Sequence, residues 1–403
     1  MTARVACRYV KDIDWSPAVN AMQMHTRNLR LSARVADLRA SPVREILSVI
    51  DRQGMVSFAG GLPAAETFPV LSLEGMPPGM LQYGAVEGEP ALRDRVARNL
   101  QALGLPVSSD QVLILSGSQQ GIDLVAKLCV DPGTAVAVES PTYLAALEAF
   151  RFFGAQFHTF EPQRAGADWA ARPPVLAYAT PTFQNPTGRC YPAADRDALA
   201  AACDAHGVIL YEDDPYRDLV YESCDRSPVC ARLKRASYVY QGSFSKTLAP
   251  GLRLGFLAAS ADLMPHLVRL KQAADLHSSR ISQWLVLEAL NDEQRPARLA
   301  GVVASYRRKR DAFAQALERH LTGIATWDLP PGGLFFWLTL NRPVDTRELL
   351  HAAMERGVAF MPGEPFYPQL PECSGRLRLN FSHAGEAEAD RGLRELAALL
   401  RER

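Results

Sequence analysis

The sequence predicts an α/β protein with a three-layer large domain built on a mostly parallel sheet, followed by a smaller α+β domain. Two observations lead there. Short apolar runs, each ending in small or polar residues, alternate with helical patterns from about Gln111 to Ser260. After about Ile281 that alternation stops and one long helical stretch takes over. The chain length of 403 residues suits one large domain and one smaller one.

The runs, in order, are QVLILSG (Gln111–Gly117), TAVAVES (Thr134–Ser140), PPVLAYAT (Pro173–Thr180), GVILYEDD (Gly207–Asp214), SYVYQGS (Ser237–Ser243) and LGFLAAS (Leu254–Ser260). Continuous apolar runs of this length read as strands buried on both faces. QQGIDLVAKLCV, TYLAALEAFRFFG and AADRDALAAACDAHG have the spacing of helices between them. In the smaller domain a long helical stretch, interrupted near Pro296, precedes a strand in GGLFFWLTL, a helix in TRELLHAAMERG, a strand in RLRLNFS and a closing helix. Residues 1–30 show no clear periodicity and read as an arm.

Composition excludes several classes. Lys plus Arg equal Asp plus Glu, 44 each, so nothing in the charge points to nucleic acid or an anionic membrane. Seven cysteines without a C-x-x-C pair argue against a disulfide framework or a zinc site. No apolar stretch reaches the roughly 18 residues of a membrane helix. The first residues lack the apolar region of a secretory signal, so a cytoplasmic location is expected.

In such sheets ligands sit beyond the carboxyl ends of the strands, and polar residues follow each run here. YQGSFSKTLAPGLRLGF (Tyr240–Phe256) sets one amine, Lys246, among Ser243, Ser245 and Arg253. A nucleotide-binding P-loop needs glycine where Tyr240 and Ser245 stand, so that reading fails. An amine beside hydroxyls and a guanidinium that can bind phosphate suits a Schiff base with a phosphorylated aldehyde, pyridoxal phosphate. YEDDPYRDL offers Asp213 to hold a proton on the cofactor's ring nitrogen, and Tyr216 to donate to its phenolic oxygen. The other readings of Glu212-Asp213-Asp214 are a metal site or surface acid; no histidine stands at a useful spacing, and no metal is expected. QNPTG offers Asn185 to the same phenolic oxygen. SGSQQG places Ser118 and Gln119 at a helix start, where free N–H groups favour phosphate. Tyr143 of SPTY can stack on the ring.

The set GGLP, YG…G, GSQQ, P-T-Y, QNPTG, EDDPY, SFSK…GLRLGF and RLRLNFS, in that order, resembles the fold-type I, class I/II pyridoxal phosphate aminotransferases, and within them the α-aminoadipate and kynurenine branch. The resemblance runs from about Leu38 to the carboxyl terminus. It implies a homodimer with the active sites at the subunit interface. It also implies a segment 31–60 that contributes to the small domain and the site, a cofactor domain over 61–290 and a small domain over 291–403. It makes Lys246 the Schiff-base lysine, Asp213 the ring-nitrogen partner, and Asn185 and Tyr216 the phenolic-oxygen partners. Ser118, Gln119, Ser243, Ser245 and Arg253 become the phosphate cup, completed by Tyr83 from the partner subunit, with Tyr143 as the stacking ring. Arg378 would clamp the α-carboxylate of amino-acid and 2-oxo-acid substrates with help from Asn185, beside Gly60 and Gly61. Arg44, in ASPVREIL, matches the family segment whose arginine can meet a side-chain carboxylate; it also reads as a surface residue. Three alternatives stay open: a lyase, decarboxylase or cyclase on the same site, a regulator of the kind that carries this domain behind a winged helix, and a non-catalytic binding module.

Overall fold

The computed structural model describes residues 32–36, 54–167 and 169–402. The chain divides into two units. In residues 1–38 the described element is the short helix α1 (Ala33–Ala36). Everything below concerns residues 39–403.

A seven-stranded sheet is built from β2 (Val112–Leu115), β3 (Ala135–Val138), β4 (Gln156–Thr159), β5 (Leu176–Ala179), β6 (Ile209–Asp213), β7 (Tyr238–Ser243) and β8 (Gly255–Ala259). Its order is β2-β8-β7-β6-β5-β3-β4. Only β8 runs against the others. The six runs named from the sequence are six of these strands. The seventh, β4 (QFHT), has exposed and half-buried residues at the sheet edge and therefore no apolar run to reveal it.

Alternate residues of each strand feed two cores. Leu113, Val136, Tyr178, Tyr211 and Val239 pack under α3 (Ser118–Cys129), α4 (Leu144–Phe152) and α6 (Met264–Asp275). Ile114, Ala137, Ala177, Leu210 and Tyr240 pack under α2 (Pro90–Ala102), α5 (Ala193–His206) and α7 (Arg280–Asn291). Helices on both faces of a mostly parallel sheet make the three-layer α/β/α arrangement that the alternation predicts.

The remaining helices are α8 (Arg295–Leu321), α9 (Thr346–Glu355) and α10 (Glu386–Glu402). The interruption near Pro296 lies between α7 and α8. Pro296 falls in the first turn of α8, where a missing N–H costs nothing. A second sheet, β12-β13-β10-β9, pairs β10 (Phe335–Leu340) antiparallel with β13 (Arg376–Asn380), setting Trp337 opposite Arg378. Its outer strands are β9 (Ala325–Thr326) and β12 (Met361–Pro362), while β1 (Val56–Ser57) pairs parallel with β11 (Val358–Ala359). No helix among the described residues is long and apolar enough to cross a membrane.

Candidate active site

The carboxyl ends of β2, β3, β5, β6 and β7 open on one chamber. Arg253 reaches it because β8 is antiparallel, so its amino end lies where its neighbours' carboxyl ends lie. Ten residues singled out from the sequence line this chamber of about 240 Å³: Ser118, Gln119, Tyr143, Asn185, Asp213, Tyr216, Ser243, Ser245, Lys246 and Arg253. Thr180 and Pro215 complete its wall. A larger cleft of about 610 Å³, behind the Gln184–Gly188 loop, shares none of these residues. Chemistry rather than size identifies the site.

Lys246 is half-buried, and its Nζ donates to the carbonyl of Gly61 at 2.8 Å. Burial, then the nearby Arg378 and Arg253 charges, push its pKa down to about 8. An amine so placed is a usable nucleophile and proton carrier near neutral pH. In the cofactor-free chain Lys246 is expected to react with a small acylating reagent with a midpoint near pH 8, below the range of surface lysines. Peptide mass spectrometry across a pH series reads this directly.

Asp213 is buried, and no ion pair to it occurs among the described residues. Its carboxylate accepts from the Tyr178 hydroxyl at 2.7 Å and from Gln241 Nε2 at 2.9 Å. Burial raises its pKa to about 6, against the pull of those two hydrogen bonds. Gln241 is itself held by the Tyr211 hydroxyl, 2.8 Å from Oε1. Gly121 in α3 makes room for it: a Cβ there would lie 1.9 Å from Gln241 Oε1. The two neighbouring acids are engaged elsewhere. Asp214 accepts from Arg217 and the Tyr240 hydroxyl, both at 2.8 Å, and Glu212 accepts from the Cys230 N–H at 2.8 Å. The three carboxylates therefore point to three different places, and only Asp213 faces the chamber.

The phosphate side is shaped by backbone. Gly117 (φ 86°) turns the chain from β2 into α3, whose first residues are Ser118 and Gln119. Arg253 adopts φ 48°, the left-handed region that non-glycine residues seldom enter. That conformation brings its guanidinium over Gly117, where a Cβ would lie 2.6 Å from Nη2. Glycine is thus required at 117 both for the turn and for the close approach. A Cβ on Gly255 would lie 2.9 Å from the Ser118 N–H nitrogen, so Gly255 also keeps the cup open.

Arg378, on β13, is buried between the rings of Phe335 and Phe366, 4.2 and 5.2 Å from its Cζ. It donates to Asn185 Oδ1 at 2.7 Å and to the Ala59 carbonyl at 2.6 Å, while its Nε is buried without a partner. Two of the guanidinium's five N–H groups are thus engaged, and others remain for a carboxylate. Burial lowers its pKa to about 10. Gly60 is buried beside Gly61, where a Cβ would meet the Phe335 ring at 3.2 Å.

Tyr83 is 76 % exposed and touches His277 edge-on. Its loop is held by Arg280, whose Nη1 reaches the carbonyls of Gly79, Gln82 and Tyr83 at 2.5, 3.2 and 3.3 Å. Arg44 lies outside the described residues. Sequence reading missed Tyr178, Gln241 and Glu139. Glu139 follows β3 and ties two site loops together, accepting from Gln184 Nε2 at 2.6 Å, from the Thr180 N–H at 2.8 Å and from the Tyr191 hydroxyl. The one available signal was Gly121, a glycine inside a helix that costs about 1 kcal/mol unless it makes room for something.

These residues fit pyridoxal phosphate: a lowered amine, a buried carboxylate with no ion pair among the described residues, and a cradle that a Cβ at 117 or 255 would fill. The comparisons agree. Residues 55–396 match the model of the aminotransferase class I and II family. The 2-aminoadipate transaminase of Thermus thermophilus is 36 % identical over 384 residues, covering 90 % of this chain and 94 % of that one. The solved kynurenine aminotransferase of Pyrococcus horikoshii superposes with a TM-score of 0.85 at 31 % identity, over 93 % of this chain and 97 % of that one. The Thermus thermophilus α-aminoadipate aminotransferase complexed with N-(5'-phosphopyridoxyl)-L-leucine superposes with a TM-score of 0.82 at 35 % identity, over 92 % and 97 %. The chain belongs to the class I and II aminotransferases, in the branch of the aminoadipate and kynurenine enzymes, and is a pyridoxal phosphate-dependent transaminase of fold type I.

Proposed function

We propose that this transaminase moves the amino group of 2-aminoadipate, a leucine-like or an aromatic L-amino acid to a 2-oxo acid, with 2-oxoglutarate as acceptor, in two ping-pong half-reactions. The observation that carries this reading is the juxtaposition of a lowered amine, Lys246, with Arg378, a buried arginine whose Nε–H has no partner and whose guanidinium has only two of its five N–H groups engaged by Asn185 and Ala59. The relatives' ligands, a phosphopyridoxyl-leucine in one and kynurenine in another, support an apolar or aromatic donor alongside the acidic one.

When bound, pyridoxal phosphate supplies the electron sink for the bond broken at the substrate's α-carbon. Lys246 Nζ carries the proton away from that carbon and returns it at the other end of the transfer. Asp213 keeps a proton on the ring nitrogen, and Tyr178 and Gln241 hold its carboxylate in place. Tyr216 and Asn185 donate to the phenolic oxygen, and Tyr143 covers the ring. Ser118, Gln119, Ser243, Ser245 and Arg253 bind the phosphate. Arg378 takes the α-carboxylate, with two of its N–H groups fixed by Asn185 and Ala59. Gly60 and Gly61 leave room for the substrate.

A homodimer in the cytoplasm suits this site. Val70, Leu73, Leu81, Tyr83, Leu276 and Ile281 are exposed apolar residues on two segments that Arg280 joins. Covering them with a second copy would remove that surface from water and bring Tyr83 to the other subunit's phosphate. The six described cysteines are free.

A donor panel with 2-oxoglutarate, read by glutamate formation, tests the reading. Two variants sharpen it. A hydrogen bond to a charged group contributes roughly 1.5–3 kcal/mol, about 10- to 150-fold in kcat/KM. Arg378→Ala is expected to lose that much or more for every substrate, since all carry an α-carboxylate. Arg44→Ala is expected to weaken 2-oxoglutarate and aminoadipate by that factor and leave leucine and phenylalanine nearly untouched in single-turnover rates. An equal loss for acidic and apolar donors would remove Arg44 from the site.

A further inference from the structure

Behind the phosphate turn lies a lysine that the reaction does not use. Lys271, on α6, is fully buried. An ammonium has three N–H groups, and here they find Gln120 Oε1 at 2.7 Å, Ser278 Oγ at 2.9 Å and the Asp275 carboxylate at 2.7 Å. Gln120 and Ser116 bracket Gly117, Ser118 and Gln119. Gln120 Oε1 also accepts from the Ser116 N–H at 2.9 Å, and Gln120 Nε2 donates to Asp275 Oδ2 at 2.8 Å. The Ser116 hydroxyl donates to the same Asp275 oxygen at 2.7 Å. Ser278 Oγ donates to the Ile114 carbonyl at 3.1 Å, within β2. Both ends of the turn are therefore tied to one ion pair whose lysine is buried and whose aspartate reaches the surface, and the ties leave the side chains of Ser118 and Gln119 to line the chamber.

Stability alone does not account for this arrangement. An apolar side chain at 271 would fill the same buried space without the cost of taking a charge out of water. The next residue is also strained: Leu276 sits at φ 64°, ψ −63°, at the centre of a γ-turn closed by the His277 N–H on the Asp275 carbonyl at 2.8 Å. Such a turn persists only where its surroundings fix it, and strain of this kind collects at ligand clamps.

We propose that Lys271 is a positioning residue for cofactor binding: through Gln120, Ser116 and Asp275 it fixes the Ser116–Gln120 turn so that the N–H groups of Ser118 and Gln119 and the Ser118 hydroxyl converge on the cofactor's phosphate. The inference rests on the reading that this turn and Arg253 hold the phosphate. It predicts a loss specific to the phosphate. A lost Lys271 leaves the amine of Lys246 and the ring contacts in place.

The test compares pyridoxal phosphate with pyridoxal, which lacks the phosphate, as ligands of the cofactor-free protein. Dissociation constants are read by protein fluorescence, and melting temperature is followed in parallel. Lys271→Met and Gln120→Met are expected to cut the preference for pyridoxal phosphate over pyridoxal about tenfold, the equivalent of one lost hydrogen bond to a charged group. The affinity for pyridoxal itself should stay within about twofold. Gln120→Met is the decisive variant if Lys271→Met does not fold, because it breaks the tie and leaves the ion pair. Arg253→Ala serves as the reference. If Arg253→Ala lowers the preference and neither other variant does, Lys271 is a packing residue and the proposal fails. If Arg253→Ala also leaves the preference unchanged, the phosphate lies elsewhere and the underlying reading fails with it.

Discussion

Lys246→Ala is expected to lower transamination by roughly ten-thousand-fold or more and to remove the visible absorbance of the cofactor-loaded protein. A positioned acid–base group contributes about 10²- to 10⁴-fold, and this amine also forms the covalent link to the cofactor. The variant should still bind pyridoxal phosphate, because Ser118, Ser243, Ser245 and Arg253 line the chamber independently of the amine. Folding should change little. Among the described residues the amine hydrogen-bonds the Gly61 carbonyl, and burial already works against its charge. Stopped-flow rates with a saturating donor, beside an absorbance spectrum, check both halves. Wild-type turnover in this variant would remove Lys246 from the chemistry.

The second large effect belongs to Asp213. Asp213→Ala should lower the rate of the chemical step by about 10²- to 10³-fold, the scale of removing one fixed charge that stabilises the transition state. The loss should fall on kcat rather than on KM, because the proposed roles give Asp213 to the cofactor ring and Arg378 to the substrate carboxylate. Asp214→Ala is the control. Asp214 holds Arg217 and Tyr240, so its loss should lower the melting temperature and leave the cofactor spectrum in place. If Asp213→Ala keeps its kcat with cofactor bound, the ring nitrogen is served by another group.

Much of this site was legible in the sequence because of where its residues stand. Asp213, Ser243 and Lys246 follow apolar runs, and the end of a buried parallel strand is where an α/β sheet exposes chemistry. The sequence already pointed to Asp213, and the side chains supply the reason it differs from Asp214. Adjacent residues of a strand point to opposite faces, and only the coordinates show that Asp214 turns to Arg217. Tyr178 and Gln241 were not legible for the converse reason. They sit inside buried strands, where a tyrosine or glutamine reads as ordinary packing, and Gln241 meets Asp213 across 28 positions of sequence. Lys271 is more distant still, 151 positions from Gln120, on a helix whose lysine reads as surface charge. The antiparallel sense of β8 was also invisible in its composition, yet it is what brings Arg253 to the cup.

Ping-pong transfer, as proposed for this site, requires the amino group to be stored between half-reactions. The most direct measurement mixes the loaded enzyme with excess amino-acid donor and no 2-oxo acid, and counts products per subunit. One equivalent of 2-oxo acid per subunit is expected, then arrest, with turnover restored on adding 2-oxoglutarate. Continuous release of ammonia or carbon dioxide without an acceptor would contradict it and make the protein a lyase or decarboxylase built on the same residues.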